Sequence, residues 1–369
     1  MPEAPTGDAP RQHAAAWATP EGIVVAGGEW EGQAKDDITM LRPGEAPRRL
    51  GTLPRPASRM AVAPVEGGAF LAGGRDGATP LDAVLRAEGG EVREVARLPR
   101  PLASAAAAVA NGTLYVAGGV ANGEPTDEML AIRDGAVRVL DARLPSPRFG
   151  VAALATPHGV LLAGGQDAEG NLLADVLWLD PATETLRSAA ARLPAHEADP
   201  GRAYAAAAWT GELVLVAGGR SLEAGWPRVV AVDPATDAAW DTQHRLDPPR
   251  EGASLVPWNG RVWLVGGSAA GSAAWLDAGL VYDLRPEGES LMLRWWGRSP
   301  TGYRVVDRAS GDTLAELPAE ATSWRVPPGV EAERLAVEPA TAQRAPGAPA
   351  LVALLLAALA RRRLTGACA

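Results

Sequence analysis

Arginines stand at fixed distances from a recurring glycine pair. The pairs are Gly27–Gly28, Gly73–Gly74, Gly118–Gly119, Gly164–Gly165, Gly218–Gly219 and Gly266–Gly267. Sixteen residues before the first glycine of each stand Arg11, Ala57, Leu102, Arg148, Arg202 and Arg250. Directly after each pair stand Glu29, Arg75, Val120, Gln166, Arg220 and Ser268. Six of these twelve positions are arginine and one is acidic, in a chain of net charge −9. A guanidinium is a planar fork that grips a carboxylate through two parallel N–H donors. Gathered on one face, these side chains make it locally positive and suited to an anionic ligand. The plain alternative is that each arginine neutralises a strand aspartate or a nearby loop carboxylate, because structural ion pairs are common.

Other residue types offer less chemistry. His13, His158, His196 and His244 have no spacing that resembles a metal site, and Cys368 is the only cysteine. An intrachain disulfide is therefore excluded. None of the glycine pairs runs on into Gly-Lys-Ser/Thr, and no Gly-x-Ser-x-Gly elbow occurs. No cofactor is implied. The segment LPAHEADPGR, 193–202, is an insertion that carries His196, Glu197 and Asp199. It reads as a general base or weak metal contact, or as a solvated acidic loop, since loops lengthen cheaply. The acidic balance, with a pI of about 5.1, argues against nucleic acid as a partner, which needs a basic surface.

What positions these residues is a repeat. The first glycines lie 46, 45, 46, 54 and 48 residues apart. Four short strands and their turns need about 40–50 residues, so each unit fits one four-stranded antiparallel sheet. In the third unit LASAAAAVA (102–110), TLYVAGG, DEMLAIR (127–133) and AVRVLDARL read as successive strands. Asn111-Gly112 and Asp134-Gly135 are hairpin turns between them. The first strand of each unit is rich in alanine, as in YAAAAW (204–209), which suits a crowded axis. The glycines permit positive φ and close backbone approach beside it. The short turns mark a plain face. The longer connections, with the twelve positions above, mark a face where a ligand is expected.

These features resemble the kelch repeat over about 10–288. The resemblance rests on the six Gly-Gly pairs after apolar strands, on Asp37, Asp82, Asp127 and Asp175 near the third strands, and on the Pro-Arg-like starts of the first strands. The usual Tyr and Trp after the glycines are mostly missing, Trp240 being the best remaining Trp. The resemblance implies an all-β chain with a six-bladed kelch-type β-propeller over 10–296. ESLMLRWW (289–296) would then close the ring as its last strand, although LRWW also fits the module that follows. In kelch proteins that bind acidic peptides, and in kelch sugar-acid epimerases, arginines at such positions line the pocket. That implies ligand contact for Arg148, Arg202 and Arg250 most directly. The set extends to Arg11, Arg75 and Arg220, with His196 and Glu197. Galactose-oxidase-like copper chemistry needs a Tyr–Cys cross-link, and Cys368 lies outside the repeats.

Residues 1–9 are expected to be disordered. Residues 297–344 read as a small β module, GYRVVDRASGDTLAEL and TSWRVPPGVEAERLAVEPA alternating like strands and resembling a fibronectin-III-like fragment. Residues 345–369 form an uncharged segment followed by Arg361, Arg362 and Arg363, similar to a bacterial envelope-sorting tail. Sixteen apolar residues reach about 24 Å as a helix, short of the roughly 30 Å hydrocarbon core. Two readings of location stand. One is the cell envelope, with membrane association through 345–363 and an export signal outside this sequence; the other is the cytoplasm. The leading functional expectation is a non-enzymatic recognition protein for a protein or anionic ligand. The alternatives are a sialate-type sugar-acid epimerase or mutarotase and a structural envelope display module.

Overall fold

The computed structural model describes residues 11–42, 45–195, 200–220, 226–246, 249–259, 261–267, 281–287, 290–296, 302–307, 309–331 and 334–340. The chain divides into two compact units, one chiefly of residues 2–277 and one chiefly of residues 278–369. Both are all-β.

Among its described residues the first unit holds five four-stranded antiparallel sheets and the hairpin Ala253–Trp258/Arg261–Gly266, each strand following its predecessor in space, besides three short two-residue ribbons after the first three glycine pairs. The third sheet is typical: Ala106–Ala110, Thr113–Ala117, Met129–Arg133 and Ala136–Val139. Its hairpins close through Asn111-Gly112 and Asp134-Gly135, with φ of 51° and 75°, and of 50° and 80°. Such turns need positive φ at both central residues, which Asn-Gly and Asp-Gly adopt most easily. The first strands of the sheets are Ala15–Thr19, Ala61–Val65, Ala106–Ala110, Ala152–Thr156 and Ala206–Trp209, with Ala253–Trp258 in the hairpin. They neighbour one another in that order, and Ala253–Trp258 lies beside Ala15–Thr19, so the series closes on itself. This is a propeller-like arrangement.

The core lies between successive sheets. Trp17, Val24 and Ile38 of the first pack on Leu71 and Leu85 of the second. Tyr115 and Met129 of the third pack on Leu162 and Leu177 of the fourth. Ile23, Val25 and Leu41 of the first sheet also pack on Val256, Trp263 and Val265 of the hairpin, which joins the two ends of the series. Each fully buried side chain of this size contributes about 1.5–3 kcal/mol.

The glycine pairs make the joints. The N–H of Gly28, Gly74, Gly119, Gly165 and Gly219 donates to the carbonyl of Ala57, Leu102, Arg148, Arg202 and Arg250 in the next sheet, at 2.8–2.9 Å. Gly267 donates to Arg11 at 2.9 Å, which completes a circuit. The approach leaves no room for a side chain. A Cβ on Gly118 would lie 2.5 Å from the Arg148 oxygen, and one on Gly266 would lie 2.6 Å from the Arg11 oxygen.

The second unit has two three-stranded sheets. In one, Ser290–Trp296 pairs with both Val281–Glu287 and Ser323–Arg325. In the other, Tyr303–Asp307 lies between Thr313–Leu317 and Leu335–Pro339. Leu293, Trp295, Tyr303 and Val305 are buried together. The strand expected to close the ring therefore has its described partners in this unit, where Leu293 and Trp295 find an apolar face to cover.

Candidate ligand site at the channel mouth

Fourteen residues before the first glycine of each pair stand His13, Arg59, Ser104, Gly150, Tyr204 and Gly252. All six have φ between 54° and 65°. Each turns the chain into its inner strand. Arg59 donates its N–H to the His13 carbonyl (3.1 Å), Ser104 to Arg59 (2.9 Å) and Gly150 to Ser104 (2.9 Å). Tyr204 donates to Gly150 (2.7 Å), Gly252 to Tyr204 (3.2 Å) and His13 to Gly252 (2.8 Å). These six peptides form a second closed circuit, the hub. Left-handed backbone costs a non-glycine residue roughly 1–2 kcal/mol, and the hub hydrogen bonds offset that cost at four such positions.

Below the hub, the inner strands line a cavity of about 430 Å³. Its charged, imidazole and hydroxyl side chains are hub members, with one exception: Ser254 donates its hydroxyl to the Ala14 carbonyl at 3.2 Å. Arg59 and Tyr204 stand opposite each other in the circuit, three steps apart in either direction. Their side chains meet across the mouth. Arg59 Nη1 donates to Tyr204 Oη at 2.9 Å, and the guanidinium carbon lies 5.2 Å from the ring centroid. Tyr204 Oη donates to Ser104 Oγ at 3.2 Å.

Glu29 braces this bar. Its carboxylate accepts from Ser58 Oγ (2.9 Å), Arg59 Nη2 (3.0 Å) and Arg75 Nη2 (3.3 Å). Burial opposes ionisation, but the charge and hydrogen bond of Arg59 and the hydroxyl of Ser58 hold this carboxyl below its usual range. His13 packs edge-to-face on Tyr204, with centroids 4.8 Å apart. Burial, followed by the charges of Arg59 and Arg75, lowers its pKa from 6.5 to about 3 against the pull of Glu29, so its imidazole is neutral at neutral pH. Glu251 Oε1 lies 4.0 Å from His13 Nε2. Burial pushes the Glu251 carboxyl up, although Arg220 and Arg59 pull it down. Three buried nitrogens here have no hydrogen-bond partner among the described residues: His13 Nε2, Arg59 Nε and Arg75 Nε.

The expected site residues separate into two groups. Arg11, Arg148, Arg202 and Arg250 are buried, at 7%, 2%, 1% and 4% exposure. Each reaches sixteen residues along its own sheet to the carbonyl of Gly27, Gly164, Gly218 or Gly266. Arg11 also pairs with Asp37 at 2.8 Å, and Arg148 with Asp175 at 3.0 Å. Arg202 lies over Trp226, 4.0 Å from the ring centroid, and burial lowers its pKa to about 10. These guanidiniums are buried and reach inner carbonyls at the joints, while Nε and Nη2 of Arg202 have no hydrogen-bond partner among the described residues. Arg75 and Arg220 stand one bridge away from the hub, where Ser58 pairs with Arg75 and Ala203 with Arg220. Arg75 keeps 40% of its side chain exposed, and Arg220 is exposed. His196, Glu197 and Asp199 lie outside the described residues, as do Ser268 and residues 345–369. Sequence reasoning passed over Arg59, Tyr204, Ser104 and Glu251, and gave His13 no role. Their offset from the glycine pair is constant or nearly so, but their types differ from unit to unit. Among the described residues no group of three His, Cys, Asp or Glu could hold a metal, and no helix is long and apolar enough to cross a membrane.

No family model and no curated protein matches the sequence. Among solved structures, one titled "Structure of YjhT" is similar, with a TM-score of 0.60 over 80% of this chain and 99% of that chain, at 15% identity. At that identity the likeness shows a fold, in agreement with the propeller-like, all-β arrangement described above.

Proposed function

We propose that the repeats form a six-bladed kelch-type propeller that serves as a recognition module and binds an anionic ligand at the hub mouth. Two circuits of six equivalent contacts support the ring. The observation that carries the binding reading is the convergence of Arg59 and Arg75 on the single carboxylate of Glu29. With Arg220 beside them, three guanidiniums face two carboxylates, Glu29 and Glu251. A bound anion balances the excess, and half-exposed Arg75 offers it a fork. Calorimetric titration with an acidic peptide and with N-acetylneuraminate tests the reading, comparing wild type with Arg75→Ala. Saturable binding of either anion, weakened at least tenfold in the variant, is expected. Absence of saturable binding by carboxylates, or equal affinity in the variant, overturns it.

A second reading, sugar-acid isomerisation, is favoured by one feature. Glu251 has a raised pKa and lies beside a neutral imidazole, the pairing an acid–base step uses. Polarimetry of freshly dissolved sugar acids with and without the protein separates binding from turnover. The envelope display reading depends on residues 345–363.

A further inference from the structure

We infer that the joint of the fifth repeat holds one small inorganic anion of halide size on the Nε–Nη2 edge of the Arg202 guanidinium. Arg202 does not line the cavity below the hub, so this site is independent of the binding reading above.

The fourth repeat shows what such an edge needs. Arg148 donates through Nε to the Ser146 carbonyl at 3.2 Å and through Nη2 to the Ser146 hydroxyl at 2.9 Å. Its Nη1 meets the Asp175 carboxylate at 3.0 Å, so the buried charge has a counter-charge. In the first repeat Asp37 neutralises Arg11 at 2.8 Å. The fifth repeat has neither device. Two residues before Arg202 stands Pro200, where the fourth repeat has Ser146, and it brings no hydroxyl. Asp37 and Asp175 are the first residues of their strands, Asp37–Leu41 and Asp175–Leu179. The matching strand, Arg228–Asp233, begins with an arginine instead. Arg202 Nη1 therefore reaches only carbonyls, those of Gly218 at 3.4 Å and Arg228 at 3.2 Å.

What remains is an unfilled fork beside a second cation. Nε–H and one Nη2–H of a guanidinium point the same way and grip an anion together. In Arg202 both nitrogens are buried and have no hydrogen-bond partner among the described residues. Trp226 covers a face of the guanidinium, 4.0 Å from it. Unmet buried donors are costly, and so is a buried charge without a paired one. Asp241 attracts Arg202 at a distance, but its ion pair is with Arg228, and its Oδ1 accepts no hydrogen bond among the described residues. Arg202, Arg228 and Asp241 together carry a positive charge in excess. A water molecule fills the fork but leaves that excess. An anion fills the fork and removes it. With the guanidinium only 1% exposed, the site suits a bare ion rather than an organic acid.

Urea unfolding of the whole chain tests this, with chloride varied and ionic strength held constant by sodium methanesulfonate. Above the dissociation constant, each tenfold rise in chloride is expected to raise the folding equilibrium constant about tenfold, because unfolding releases the ion. Arg228→Asp restores the acid of the first and fourth repeats, and the chloride dependence is expected to vanish. Should that variant fold poorly, Pro200→Ser supplies the hydroxyl that Arg148 has, and chloride affinity is expected to fall at least threefold. Crystals grown in bromide are expected to show an anomalous peak at Nε and Nη2 of Arg202. Stability that ignores chloride overturns the inference, since a water bridging Arg202 to Asp241 has no anion preference. So does a chloride dependence that survives both substitutions, or the absence of bromide at Arg202.

Discussion

The residue sixteen before each glycine pair and the residue fourteen before it are two positions apart, yet they behave as opposites. The first kind, Arg11, Arg148, Arg202 and Arg250, keeps one residue type in four units and points it into the protein. The second kind, His13, Arg59, Ser104, Gly150, Tyr204 and Gly252, keeps one backbone conformation in six units and varies the side chain. A joint built the same way each time selects the same residue. On the proposed binding reading, a mouth that distinguishes the parts of one asymmetric ligand uses different residues around it, so recurrence of a side chain goes with the joints and variation at a fixed backbone geometry with the hub.

The sharpest way to break this contrast is Arg148→Ala. Removing a 2%-exposed guanidinium leaves the Gly164 carbonyl and Asp175 without it, although Asp175 keeps Arg192 at 3.3 Å. A loss of about 3 kcal/mol is expected in urea unfolding, at the low end for a broken buried pair. A change below 1 kcal/mol would return Arg148 to the list of candidate ligand contacts. Gly118→Ala comes next. It forces alanine to φ of 61° with its Cβ 2.5 Å from the Arg148 oxygen, and a loss of at least about 2 kcal/mol is expected by the same measurement.

Acid should disturb the hub before it disturbs the joints. His13 has a folded pKa below its unfolded one, so the unfolded chain binds the extra proton first. Its contribution is complete above pH 6.5 and is lost as pH falls toward about 3, at up to about 1.4 kcal/mol per pH unit. Asp37 at the first joint behaves differently. Burial opposes its ionisation, but Arg11 and Thr39 hold its carboxyl below the usual range. Its contribution stays whole until pH drops below about 3.9. Unfolding free energies measured from pH 7 to 3 should therefore decline in wild type and flatten in His13→Phe, while Asp37→Asn lowers the value at neutral pH and changes the slope only at the acid end. The smallest effect on stability is expected for Arg75→Ala, within about 0.5 kcal/mol as for most exposed sites. Its loss should appear in anion affinity instead.

Much of the first unit was legible in advance. Glycine pairs at a steady period announced equivalent sheets, and Asn-Gly and Asp-Gly announced hairpins, because these dipeptides answer to local backbone sterics. Partnership was harder to read. Ser290–Trp296 alternates like any half-buried strand, and nothing in that alternation names Ser323–Arg325 as its neighbour. Pairing with a strand aspartate, weighed for each arginine, is what Arg11 makes with Asp37 and Arg148 with Asp175, but a spacing of sixteen does not reveal that each arginine also reaches a glycine carbonyl in the same sheet. The hub escaped because its common property is a dihedral angle. Histidine, arginine, serine, tyrosine and glycine share no chemistry that a scan by residue type would register.

The contact from Gly267 to Arg11 repeats the five internal joints atom for atom. The seam between the sheets most distant along the chain thus carries no special latch, such as a borrowed strand or a covalent tie, among the described residues. Circular permutants that relocate the break to a different pair of sheets should find the same set of contacts waiting, and comparing their unfolding would show whether the six seams are interchangeable.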